Sequence, residues 1–205
     1  MLRKNDGLTL IELLIALTVS AFVMAGLYQT SIGQQKTYTV QEQVVDVQQS
    51  VRAALDRMTR EIRMAGYRKE ILATAGNISG FTSIITPRNN VNNVGKSDDQ
   101  ITVIIADKAI TYRLQWDAAD PGKPVLVRNE NGGGAEILAD NVENLQIKYT
   151  LGDETVTDLP VLPESIRMVT INVTARTNIK DPQLSGDGYL RRGLSSYTLV
   201  RNIGL

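Results

Sequence analysis

The chain has 205 residues, 42% of them hydrophobic and 21% charged, a balance that suits a folded domain with an extension and not a disordered chain. Lysine plus arginine and aspartate plus glutamate stand at 22 each, so the net charge is zero and no basic excess points to nucleic acid as a partner. Cysteine and histidine are both absent, which excludes disulfides, thiolate or imidazole metal sites, and any Ser-His-Asp or Cys-His nucleophile system.

Met1 to Gly7 is a short leader carrying Arg3 and Lys4. Leu8 to Leu27 is then apolar except for one charge, Glu12. Twenty helical residues rise about 30 Å, the thickness of a bilayer core. Arg3 and Lys4 precede this segment and no Lys or Arg follows until Lys36, so the N-terminus is expected in the cytoplasm and the rest outside. A carboxylate costs roughly 2.5 kcal/mol or more at mid-bilayer, so Glu12 needs a partner or a task. A plain membrane anchor leaves Glu12 unexplained. A secretory signal peptide cut near Ala25 fits poorly, because its apolar core should run only about 7–15 residues.

The helical pattern is expected to continue to about Ala65. Val40, Val44, Val47, Val51, Leu55, Met58 and Ile62 recur at spacings of three and four and form one apolar stripe. Glu42, Asp46, Arg52, Asp56, Arg60 and Arg63 lie opposite. Asp56 with Arg60, and Arg57 with Glu61, are spaced for ion pairs one helical turn apart. Gly26 and Gly33 are weak points inside the helix, and Gly66 is a stop signal. A soluble coiled coil over Val40–Ile62 would have only about three heptads in a valine-rich stripe, so the stripe is expected to pack on a sheet of the same chain.

Beyond Gly66 the period changes to two. Ile101–Ile105 and Ile110–Leu114 read as strands around the turn Ala106–Ala109, and Val125–Val127 and Ile137–Leu138 flank the hairpin signal Asn131-Gly132-Gly133-Gly134. Leu145, Ile147, Tyr149 and Leu151 alternate with polar residues, as do Val169, Ile171, Val173 and Ala175, and a last strand is expected over Ser196–Val200. The fold class is α+β: one long N-terminal helix, its first half transmembrane, packed on a mostly antiparallel sheet.

Ile78 to Gln100, with Pro87, reads as a surface loop suited to recognition or to a passive link. Asp98, Asp99, Asp153, Glu154 and Asp158 are oxygen donors without EF-hand spacing, so they read as solvated loop charge, and neither a metal site nor a cofactor is expected. Asp181 to Gly188 is a similar loop. The single tryptophan, Trp116, is expected in packing.

Gly7-Leu8-Thr9-Leu10-Ile11-Glu12, followed by the apolar run, resembles the class III signal peptide of type IV pilins and type II secretion pseudopilins. The resemblance implies the type IV pilin fold. It also implies cleavage between Gly7 and Leu8 by a prepilin peptidase on the cytoplasmic side, and N-methylation of Leu8, where the family more often has phenylalanine. Glu12, fifth after the cut, would pair with the N-terminal amine of a neighbouring subunit during assembly. The implied organisation is a leader at 1–7, a transmembrane and filament-core helix at 8–28, an amphipathic helix at 29–66 and a periplasmic β-rich head at 67–205.

Three further stretches sharpen the resemblance. Val51-Arg52-Ala53-Ala54-Leu55-Asp56 with Arg60-Glu61-Ile62-Arg63-Met64-Ala65-Gly66-Tyr67 looks like the helix end of PilW-type minor pilins. Leu138 to Tyr149 resembles a strand entry shared by PilW-type proteins and J-type minor pseudopilins, and Arg201-Asn202 also suits this group. Such minor pilins are not enzymes. They prime filament assembly in the inner membrane and sit at or near the pilus tip. The partners implied are the prepilin peptidase, other minor pilins, the major pilin, the inner-membrane assembly platform and a PilY-type adhesin. A J-type minor pseudopilin of type II secretion is the alternative. A membrane-anchored periplasmic binding protein or enzyme outside any filament is the third reading, and it would need no N-terminal motif. Because the most apical pseudopilin typically lacks the glutamate, Glu12 implies a subunit above this one.

Overall fold

A computed structural model describes residues 9–67, 83–90, 98–120, 122–181 and 184–202. Helix α1 covers Leu10–Arg63, and the chain divides into two units between Glu42 and Gln43. In the first unit nearly every described side chain is exposed. The helix passes through Gly26 and Gly33 without a break, and the carbonyl of each accepts a bond from a threonine one turn on, Thr30 Oγ1 at 2.9 Å and Thr37 Oγ1 at 3.1 Å. Such back-bonding keeps the turn closed while allowing a bend.

The second unit is the head. Its part of α1 buries Val47, Val51, Ala54, Leu55, Met58 and Ile62, which fall on one face by their spacing of three and four. Met58 and Ile62 have no exposed surface, and each such burial contributes roughly 1.5–3 kcal/mol. Val40 and Val44, the expected start of the stripe, are only half-buried.

The expected single sheet is two, both antiparallel. The first contains β1 (Ile85–Arg88), β2 (Gln100–Ile105), β3 (Lys108–Trp116), β4 (Pro124–Glu130) and β5 (Ala135–Asp140), in that spatial order. The second contains β6 (Val142–Leu151), β7 (Val156–Thr157), β8 (Ile166–Arg176) and β9 (Arg191–Leu199), in the order β7-β6-β8-β9. The chain changes sheet at Asn141, whose φ of 56° is a left-handed conformation that asparagine tolerates, and whose carbonyl accepts the Arg176 N–H at 2.9 Å. Both sheets and α1 share one core, with Tyr112, Leu114 and Leu126 from the first sheet and Leu145, Ile147, Ile171 and Val173 from the second.

Strand β1 lies inside the stretch expected to be a loop. It is short and at an edge, which is where the ladder tolerates Pro87. The Asn131-Gly132 signal does form a turn, with φ of 52° and 71° and Gly133 N–H donating to the Glu130 carbonyl at 2.9 Å.

The helix ends at Arg63, two residues before Ala65, in a turn over 64–67. Gly66 has φ +79°, and a Cβ there would lie 3.0 Å from both the Asn202 carbonyl oxygen and Ile84 Cδ1, so only glycine fits. Gly66 N–H donates to the Ile104 carbonyl and Ala106 N–H to the Tyr67 carbonyl, each at 2.8 Å, while Arg201 N–H reaches the Arg63 carbonyl at 3.4 Å. The helix end is thereby tied both to β2 and to residues 201–202.

A polar network clamps α1 to the first sheet. Glu61 accepts the Tyr112 hydroxyl and Arg128 Nε, the latter at 3.1 Å, and Arg57 reaches Glu61 at 3.6 Å and Glu136 at 2.6 Å. Arg128 also donates to Glu130 at 2.9 Å. The expected Asp56–Arg60 ion pair is replaced by Arg60 Nε donating to the Asp56 carbonyl at 3.2 Å.

Asp98 and Asp99, expected in solvent, are buried at 0% and 2% exposure. Asp99 Oδ2 accepts Ile147 N–H at 2.7 Å and Oδ1 accepts Asn90 N–H at 3.2 Å, while its own N–H donates to the Leu145 carbonyl at 2.9 Å. The side chain thus links the start of β2 to β6, and burial raises its pKa against the opposing pull of those two amides. Asp153, Glu154 and Asp158 are exposed, as expected of solvated loop charge. Among the described residues no cluster of acidic side chains could hold a metal ion. Trp116, expected in packing, is 46% exposed at the end of β3.

Candidate functional site

The chemistry singled out by the sequence lies at the start of α1. Gly7 and Leu8, the expected cleavage pair, fall outside the described residues, as does the leader. Leu10 onward is helical, and the helix contains an 18-residue window of mean hydropathy 2.3, none of it buried. It is the one helix among the described residues long and apolar enough to cross a membrane. Leu10, Phe22 and Met24 are at least 70% exposed, so the helix presents large apolar side chains without cover within its own unit.

Glu12 stands at the third position of the helix and Thr9 immediately before its first residue. Thr9 Oγ1 and Thr9 N–H donate to Glu12 Oε2 at 2.8 and 2.9 Å, and Glu12 N–H returns a bond to Thr9 Oγ1 at 3.3 Å. This is a reciprocal capping box, which satisfies amides that the helix start leaves without partners. The carboxylate sits where the helix dipole is positive, a second source of stabilisation. Thr9 is the residue that hydropathy alone passes over. Its signal in the sequence is the Thr-x-x-Glu spacing just before an apolar run. Further along, Thr18 Oγ1 lies 2.8 Å from the Leu14 carbonyl and 2.9 Å from that of Ile15, so this hydroxyl also has a partner within its own helix.

The arrangement can hold a negative charge at the mouth of an apolar helix and offer that helix, uncovered, to lipid or to other helices.

The family model described as the prokaryotic N-terminal methylation motif matches residues 2–28. The chain carries a prepilin-type signal. The matched span takes in Gly7, Leu8, Thr9 and Glu12 and ends at Tyr28, within the exposed part of α1. This signal, with its long apolar helix and the α+β head, is that of a type IV pilin- or pseudopilin-like protein. No curated protein and no solved structure matches the chain.

Proposed function

We propose that this chain is a minor pilin: cut by prepilin peptidase between Gly7 and Leu8, methylated at Leu8, and inserted as a low-abundance subunit that primes a type IV pilus or sits near its tip. The observation that carries the reading is the methylation-motif match on an uncovered apolar helix that begins at Glu12 and its cap. A membrane-spanning segment with no other task would gain nothing from a carboxylate. In a filament, a neighbouring subunit's α-amine is the natural counter-charge, because opposite charges attract strongly in low dielectric. The head is held in the periplasm by this single span, with Arg3 and Lys4 on the cytoplasmic side.

The PilW-type branch is supported by where its quoted stretches fall. Met64–Tyr67 forms the turn that stops α1, and Asn202 packs against Gly66 in that turn and donates to the Met64 carbonyl at 3.5 Å. Two stretches remote in sequence therefore build one joint. The role is structural, with the peptidase, other minor pilins, the major pilin, the assembly platform and a PilY-type adhesin as partners.

The test is intact-mass and N-terminal analysis of the protein from native membranes, with and without the prepilin peptidase. A start at Leu8 carrying one extra methyl group, seen only when the peptidase is present, is expected. An uncut Met1 form, or a start near Gly26, overturns the proposal. Deletion of the gene then separates the branches: loss of surface pili fits the minor pilin, and loss of protein export with pili intact fits the J-type pseudopilin.

A further inference from the structure

We propose that a cleft on the head, between Trp116 and the β6–β8 pair, is a binding site for a neutral saccharide. The cleft has a volume of about 350 Å³, at the lower end of the range for small-ligand sites and sufficient for a mono- or disaccharide. Trp116 and Pro124, register partners across β3 and β4, form its apolar side. Asn144 and Thr174, register partners across β6 and β8, line it together with Glu143 and Arg176.

The charges around the cleft are already spent on one another. Glu143 Oε1 accepts Arg176 Nη1 and Arg191 Nη2, both at 3.1 Å, and its Oε2 accepts Arg191 Nε at 2.6 Å. Arg191 Nη1 also donates to Asp187 Oδ1 at 3.0 Å, and Arg176 Nη2 to the Gly122 carbonyl at 3.0 Å. The Arg176 guanidinium lies 4.2 Å from the centre of the Tyr189 ring. Two cations therefore meet two carboxylates and are held in place, so no surplus charge draws an anion. Of the nitrogens in these two guanidinium groups, only the buried Arg176 Nε lacks a partner among the described residues, and a sugar hydroxyl can accept its hydrogen.

The other groups left open are neutral. The Asn144 amide, the Thr174 hydroxyl and the Trp116 indole N–H have no hydrogen-bond partner among the described residues. An amide and a hydroxyl side by side offer donors and acceptors together, beside the apolar face of an exposed indole. A sugar ring presents the complement: an apolar C–H face and a rim of hydroxyls that both donate and accept. Because the arginine–glutamate lattice fixes one wall, little ordering is needed on binding. The proposal does not rest on the filament reading.

Trp116 is the chain's only tryptophan, so its emission reports on this cleft alone. The full-length protein, in a zwitterionic detergent free of sugar groups, is titrated with methyl glucoside, methyl galactoside, methyl mannoside, N-acetylglucosamine and maltotriose, and with sulfate and N-acetylneuraminate as anionic controls. A saturable emission change with at least one neutral sugar is expected. Asn144→Ala weakens it roughly tenfold, the worth of one hydrogen bond. By saturation-transfer NMR, Trp116→Ala abolishes binding, and Thr174→Val, which keeps the side-chain shape, weakens it at an unchanged melting temperature. Response to the monosaccharides assigns the site to a free or terminal sugar, and response to maltotriose alone assigns it to a polymer. Silence toward every neutral sugar up to about 0.1 M, saturation by the anions only, or undiminished binding in both Trp116→Ala and Thr174→Val overturns the proposal.

Discussion

Glu61→Ala tests the clamp between helix and sheet. The carboxylate it removes faces two groups that water does not reach easily: the Tyr112 hydroxyl, on a residue with no exposed surface, and the Arg128 guanidinium, on a residue 8% exposed. A buried hydroxyl left without a partner costs about 1–3 kcal/mol. A buried cation stripped of its counter-ion costs about 3–5 kcal/mol, but Arg128 keeps Glu130 at 2.9 Å, which places its share below that range. The two effects together give about 3–4 kcal/mol. For a head of this size each kcal/mol lowers the melting temperature by about 2–4 °C, so a drop of roughly 6–16 °C is expected by circular dichroism of the full chain in micelles. Tyr112→Phe removes the hydroxyl itself and leaves Glu61 paired with Arg128, so it costs only about 1–1.5 kcal/mol. The triple variant Glu61→Leu, Tyr112→Phe, Arg128→Met removes the three least exposed members of the network together, leaving Arg57 with Glu136 and Glu130 with Lys108, and is expected to melt above Glu61→Ala. Equal losses for Glu61→Ala and Tyr112→Phe, or a Glu61→Ala melting point within 2 °C of wild type, would refute the account of this network as a desolvated pair.

Gly66→Ala puts a Cβ against the Asn202 carbonyl and Ile84 at a left-handed φ, and is expected to cost at least about 2 kcal/mol in the same melting assay; an unchanged melting point counts against the helix-end joint. Thr9→Ala removes the cap and about 1 kcal/mol, so amide exchange over residues 10–12 should quicken about fivefold, and equal protection would mean the box does not hold in the membrane. Glu12→Val should leave cleavage intact and block entry into filaments, and normal co-assembly would sink the assembly role. Acid is expected to weaken the head. Bonds from Lys108 and Arg128 to Glu130, and from Arg57 to Glu136, hold both carboxyls below their usual 4.5, and Arg191 holds Asp187 well below 3.8. Folded values below unfolded ones mean stability fully present above pH 4.5 and lost as pH falls. Asp99 works in the opposite sense: its contribution is present below pH 3.8 and fades as pH rises through its folded value. A melting temperature that holds or climbs between pH 6 and pH 3 would show that Asp99 outweighs the other three.

The parts of the fold legible in the sequence are those governed by local period and turn chemistry. Val51, Leu55, Met58 and Ile62 repeat at helical spacing and are buried, and the alternation around Ile147 and Ile171 gave the inner faces of β6 and β8. Asn131-Gly132 and Gly66 announced their left-handed conformations because few other residues adopt them. What stayed hidden depends on partners far along the chain. Ile85 has no period of its own and becomes a strand only through β2. Asp99 reads as loop charge until the amide of Ile147, remote in sequence, is brought to it. The division into two sheets turns on one residue, Asn141. At the candidate site, Glu12 was conspicuous as a lone charge in an apolar run, whereas the role of Thr9 depends on spacing and not on hydropathy.

The joint at the end of α1 also has a consequence for the order of events during synthesis. Residue 63 receives its bond from residue 201, and Gly66 is closed over by Asn202. The apolar helix leaves the ribosome early and can enter the membrane at once, whereas the last turn of that same helix waits for the ninth strand before it is secured. Contacts of such sequence separation form slowly, since the intervening chain must be ordered first. The end of α1 is therefore secured only after residues 201 and 202 have been made. Until then the last turn of α1 lacks its bonds from residues 201 and 202, and the part of the core under Ile62 is least protected in that interval.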